Sequence, residues 1–232
     1  MSTTTQGGQA RPQAVPSTGR GEWVRKALLA CGALSGLVYI GWNELAALQW
    51  QGYSPVSNAI SELHLIGSPS KWLLGPWERI VYNALLVAFG IGVWRSAQGS
   101  RALRVAGGLQ ILAGATLPLW MLFGEASLAA HVKLSVIGIS TMLGSMASSA
   151  VAFRGWFRPY SLISMAAVVT LFGLALSYVP EVNAGHPTPF MGLDERIAVG
   201  AYFLWLFVLV ALLWRRRANT NGEGNATAFS RP

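Results

Sequence analysis

The side chains able to do chemistry gather in a few places. Residues 53–70 read YSPVSNAISELHLIGSPS and bring Ser61, Glu62 and His64 together between two long apolar runs. His131 stands at the head of a later apolar run, Glu44 lies inside the first one, and Glu195-Arg196 opens the last. A carboxylate and an imidazole can pass a proton near neutral pH when burial shifts both. Glu62 or Glu44 with His131 is therefore a candidate acid–base pair, with Ser61, Glu195 and Arg196 as candidate binding groups. The same side chains also suit a structural ion network, because ionisable clusters often serve packing alone.

Glu44 is placed about four residues, roughly 6 Å, below the end of its run, where a carboxylate needs a partner. His131, Arg79 and Arg196 are its candidates. Below His131, Ser135, Gly138, Met142 and Ser145 continue one helical face, so its ring should point toward other helices. Ser140, Gly144 and Ser148 follow at four-residue spacing and predict close helix approach. Glu78-Arg79-Ile80 and Glu195-Arg196-Ile197 repeat a tripeptide at two helix starts, where acids suit the helix dipole.

Other chemistries lack their residues. The chain has no GxxxxGK[ST], GxSxG, HExxH or CxxC, and its one cysteine, Cys31, sits within an apolar run. Of the three histidines only His131, opening a predicted span, is expected on a spanning helix, which argues against haems bridged between helices. Neither a metal site nor a cofactor is expected.

The elements that position these groups follow from composition. Only 11% of the 232 residues are charged and 53% are hydrophobic, where a soluble domain averages about 25% charged. Six apolar runs, about 27–48, 80–98, 103–123, 132–153, 160–179 and 197–214, are each long enough to cross a hydrocarbon layer roughly 30 Å thick as a helix. The expected fold is all-α: a polytopic integral membrane protein with six transmembrane helices in one bundle. Its membrane domain should cover residues 23–217, between polar tails at 1–22 and 218–232 that read as disordered. The first tail lacks the apolar centre of a secretory signal, so no cleavage is expected.

The net charge of +8 would suit nucleic acid, but its distribution does not. Of the 17 basic residues, 13 lie before span 1, at the junctions of spans 2–3 and 4–5, or after span 6, and only Lys71, Arg79, Lys133 and Arg196 fall at the opposite side. Basic residues collect on the cytoplasmic side of short loops, so both termini should be cytoplasmic. The partner implied is membrane lipid, with no nucleic acid. Trp23, Trp94, Trp156 and Trp214 mark inner boundaries, and Trp50, Trp72, Trp77 and Trp120 outer ones.

The 53–70 stretch is then on the outer face. Ser54-Pro55 resembles a helix cap, and Val56, Ile60 and Leu63 share helical spacing, so a short surface helix over 55–66 is predicted, ending at Gly67. It should roof a polar pocket at the outer mouth, with the 51–78 loop as its cover and Glu44 approaching from below.

The segment GYSPVSNAISELHLIGSP after span 1, the histidine opening span 4 and GLDERI opening span 6 resemble the six-span bacterial membrane proteins known as domain of unknown function 998. The likeness covers roughly residues 24–216. Ser61-Glu62-Leu63 and Gly192-Leu193 with Glu195-Arg196-Ile197 carry it most specifically, and here His64 stands where members often have a glycine soon after. It implies a helical fold of the bacterial cytoplasmic membrane without a settled activity. Three functions stay open: a non-catalytic subunit or lipid-binding module, a membrane-embedded enzyme acting on a lipid or prenyl-type substrate, and a transporter or channel. The last has no ionisable residue near the midplane, where coupled transporters place theirs.

Overall fold

A computed structural model describes residues 18–65, 67–123 and 127–216. Its described residues form helices and connecting turns: α1 (Thr18–Leu48), a 3₁₀ helix (Ile60–His64), α2 (Pro76–Arg95), α3 (Arg101–Ala115), α4 (Leu117–Phe123), α5 (Leu128–Ala152), α6 (Phe157–Ser177), α7 (Val179–Ala184) and α8 (Met191–Arg215). The second tail, Glu125 and all but the last residues of the first tail lie outside the described residues. Residues 18–22 correct the boundary of the first tail. They are already helical, and Glu22 pairs with Arg25 at 2.6 Å and Lys26 at 3.5 Å, one turn on.

Five spans, α1, α3–α4, α5, α6–α7 and α8, are long and apolar enough to cross a membrane. The sixth long helix, α2, carries Glu78 and Arg79 in its first turn and Arg95 at its end. The chain is thus a polytopic helical membrane bundle. Its surface bears large apolar side chains such as Leu37, Val151, Ile163 and Leu204, an arrangement that suits lipid as the surrounding solvent.

Two spans are broken near one end by proline. Pro118 follows the break at Thr116 and Pro180 the break at Tyr178, because each ring removes an amide donor and clashes with the preceding turn. The run 103–123 is thereby α3 plus α4, and the span begun by α6 continues as α7.

The helices close into a ring: α1 packs on α2, α2 on α3, α3 on α5, α5 on α6, α6 on α8, and α8 returns to α1. α2 and α3 touch backbone to backbone, since a Cβ on Gly90 would stand 2.7 Å from the Gly107 carbonyl oxygen and one on Gly107 2.7 Å from that of Gly90. The closest approach is thus between spans 2 and 3. In α5, a Cβ on Gly144 would meet the Leu109 side chain, and Ser140 is exposed.

One end of the ring is solid. Phe89, Val93, Leu103, Met146, Phe157, Trp205 and Leu209 fill it. Arg25, buried at the rim, donates to the carbonyls of Leu213 (2.9 Å) and Arg216 (2.8 Å) and to Ser96 Oγ (3.2 Å), tying α1, α2 and α8. Arg20, Arg95, Arg101, Arg104, Arg154, Arg158 and Arg215 lie at this same end. The other end carries the 49–75 loop and is hollow.

Candidate functional site

The loop is anchored to α8 by its backbone. Ser54 starts a single turn, its Oγ accepting from the Ser57 amide at 3.3 Å and its carbonyl from Asn58 N at 2.7 Å. Ala59 is extended, and the chain resumes as the 3₁₀ helix. The continuous helix expected over 55–66 is therefore split. Tertiary partners, rather than an α-helical ladder, satisfy its polar groups. The Glu62 carboxylate accepts from Asn58 Nδ2 and from the Ala59 amide, both at 2.8 Å. Glu195 of α8 accepts from the Ile60 amide at 2.7 Å. Two carboxylates thus meet the orphan amides that open this helix.

Arg196 holds the carbonyl side. Its Nη1 donates to Pro55 O (3.0 Å) and Asn58 O (3.2 Å), its Nη2 to Tyr53 Oη (2.9 Å), and its guanidinium lies 5.5 Å from the Tyr53 ring centroid. Leu193 N donates to Val56 O at 2.9 Å and Thr188 Oγ1 to Ser57 O at 3.0 Å. Gly192 makes the contact possible: a Cβ there would collide with the Asn58 carbonyl oxygen and stand 2.6 Å from that of Pro55. Ile60 and Leu63 are buried beneath the loop, Leu63 against Ala46 and Leu74, while Val56 is 44% exposed.

Under the loop lies a cavity of about 260 Å³ lined by α1, α2, α3–α4, α5, α6–α7 and α8. Its walls are mostly apolar, with Leu86, Ile139, Met142, Phe172, Val199 and Phe203 among them. The two proline breaks open onto it, through Thr116 and Trp120 on one side and Val179 and Val182 on the other. Polar groups concentrate under the loop: Ser61, Glu62, His64, Glu78, Arg79, His131 and Glu195.

Each of these groups has its own setting. His64 Nε2 is 2.9 Å from Asn43 Oδ1, and Lys71 Nζ donates to the His64 carbonyl at 2.7 Å. Burial, followed by the charges of Arg79, Lys71 and His131, drives the His64 pKa down to about 3, so its ring is neutral at pH 7. His131 faces inward as its helical register predicts, and packs edge-on against Trp120 with ring centroids 5.2 Å apart. Glu78 is 2% exposed, and no hydrogen-bond donor among the described residues reaches its carboxylate.

Of the residues singled out from sequence, Ser61, Glu62, His131 and Glu195 converge on this cavity. Glu44 does not. It lines a second recess of about 130 Å³ with Asn43, Ile60 and Arg196, and its Oε1 accepts from Arg196 Nε at 3.3 Å. Its side chain is half exposed, on the flank of α1 away from the cavity, so it does not approach the pocket from below. Arg196 is the partner it finds among the three candidates. Among the described residues no group of three His, Cys, Asp or Glu side chains is arranged to hold a metal.

Glu78, His64 and Asn43 were not among the site residues read from sequence. For Glu78 a signal existed: residues 78, 82, 86, 89 and 93 fall on one helical face, and the last three are buried core. An acid on that face must point inward. The repeated Glu-Arg-Ile tripeptide does the same thing twice, since Glu78 and Glu195 both reach the cavity.

The chain matches the model of a family described as "Protein of unknown function (DUF998)" over residues 33–212. Neither a curated protein nor a solved structure matches it. The matched region runs from within α1 to near the end of α8 and takes in Ser61-Glu62-Leu63, Gly192 and Glu195-Arg196. These residues fasten the loop over the cavity, and the chain belongs to this family, DUF998.

Proposed function

We propose that the protein binds a lipid-like amphiphile at the outer face of a bacterial cytoplasmic membrane, with both termini in the cytoplasm. The observation that carries this reading is the cavity, mostly apolar, polar under the loop and lined by all the long helices of the ring. Small-molecule sites share that design of apolar walls with a few placed polar groups. The orientation rests on the arginines at the solid end of the bundle, which the positive-inside bias assigns to the cytoplasm. Exposed Trp72 and Trp77 at the loop end, and Trp23 and Trp156 at the other, fit interfacial belts.

Native mass spectrometry of the protein extracted with its lipids tests this directly. One bound lipid-sized mass, resistant to mild activation and identified after organic extraction, is the expected result. Protein released only in its empty mass would overturn the reading.

A membrane-embedded enzyme is the second reading, favoured by His131 and Glu78 lining one cavity. Glu62 suits the acid–base role less well, because its two oxygens each accept from Asn58 or Ala59. Chemical change in the extracted lipid, lost in His131→Ala, would move the assignment from binder to enzyme.

A further inference from the structure

We infer that Glu78 anchors the head of the bound molecule, and that this ligand is an amphiphile whose head donates hydrogen bonds, a hydroxyl or an ammonium. The inference rests on the lipid-binding reading above and adds the chemistry of the head group.

Three observations carry it. The first is that Glu78 is 2% exposed and lines the cavity, so what remains accessible of its side chain faces the cavity. The second is that no described donor reaches its carboxylate, although buried polar groups are almost always paired. The adjacent Arg79 acts on it through charge alone, without a hydrogen bond. The third is the contrast with the other acids under the loop. Glu62 accepts from Asn58 and Ala59, and Glu195 from Ile60. Arg79 and His131 are engaged as well. Glu78 is the acid there whose acceptors still point at space.

An acceptor in that position selects a donor. A hydroxyl or ammonium head satisfies it, whereas a carboxylate or phosphate head presents only acceptors to an acceptor.

The test uses the full-length protein, delipidated and offered four probes sharing one 18-carbon chain: oleyl alcohol, oleylamine, oleic acid and octadecene. Retention is read by native mass spectrometry at equal probe concentration. Oleyl alcohol and oleylamine should be held at least about tenfold better than oleic acid, the scale of one hydrogen bond to a charged group. Glu78→Leu should erase that preference while still holding octadecene. Should Glu78→Leu not fold, Glu78→Gln keeps the shape, and it should hold the alcohol while losing the amine. Equal retention of all four probes by the unaltered protein would overturn the head-group inference and leave lipid binding standing. Retention of none would overturn both. An unchanged preference in Glu78→Leu, or unchanged amine retention in Glu78→Gln, would remove Glu78 from the site.

Discussion

At the residue scale, similar side chains separate by what surrounds them. Glu62, Glu78 and Glu195 line one cavity, yet two of them accept from loop amides and one accepts from none of the described donors. His64 shows the same logic for a base. Its folded pKa is about 3 against an ordinary value near about 6.5, so between those values the unfolded chain binds a proton that the folded chain refuses. Stability from this group is fully present above pH 6.5 and falls as the pH drops through the window, by up to about 1.4 kcal/mol per pH unit. His64→Gln removes that term. The thermal midpoint of the unaltered protein relative to that of His64→Gln should be highest near pH 7.5 and fall steadily toward pH 4, reversing sign once the proton-linked loss exceeds the cost of the substitution, measured in one detergent. A difference independent of pH would mean that His64 does not stay neutral in the folded state.

At the element scale, the loop between α1 and α2 is part of the fold rather than a free connection. Its position depends on contacts from α8, and two kinds of change should release it. Leu63→Asp buries an unpaired charge and should cost about 3 kcal/mol, whereas Val56→Asp, at a half-exposed position, should cost under about 1 kcal/mol. Gly192→Ala inserts a methyl group against the carbonyls of Pro55 and Asn58, so the loop must lift. Limited proteolysis should then cut within residues 53–70 in Leu63→Asp and Gly192→Ala, but not in Val56→Asp. Equal resistance in all three would show that the loop does not depend on this docking. The partial legibility of this element has a physical origin. The periodicity of Val56, Ile60 and Leu63 picks out Ile60 and Leu63, which are buried, but it groups with them Val56, which is 44% exposed. The helix type was not legible, because carboxylates and a guanidinium from distant residues satisfy the backbone here.

At the scale of the whole molecule, a ring of sequential neighbours closes when α8 meets α1, and the solid and hollow ends follow from what fills it. Broken spans α3–α4 and α6–α7 frame the hollow end, while Arg25 seals the other. Reporters fused after Arg104, Arg158 and Arg217 should read cytoplasmic. Those inserted near Gly67 and Gly185 should read external. Two successive loops reporting the same side would rule out six crossings. The described arginines that set this expectation lie at the solid end, so the same expectation puts the cavity and its loop outside.

What the sequence determined by itself is whatever depends on local composition and period. Scarce charge and apolar runs of about 20 residues specify spanning helices, because lipid leaves the backbone no other way to satisfy itself. One-sided arginines specify an expected orientation, and the inward register of His131 follows from the small residues on its own face. The tertiary structure decided everything that depends on which helices become neighbours. It sent Glu44 to Arg196 on the flank instead of into the cavity, and bonded Glu62 and Glu195 to loop amides. It also left Glu78 buried and facing the cavity. Charge and periodicity are properties of a segment, but a side chain's partner comes from another segment, 152 residues away for Glu44 and Arg196. Packing alone brings the two together.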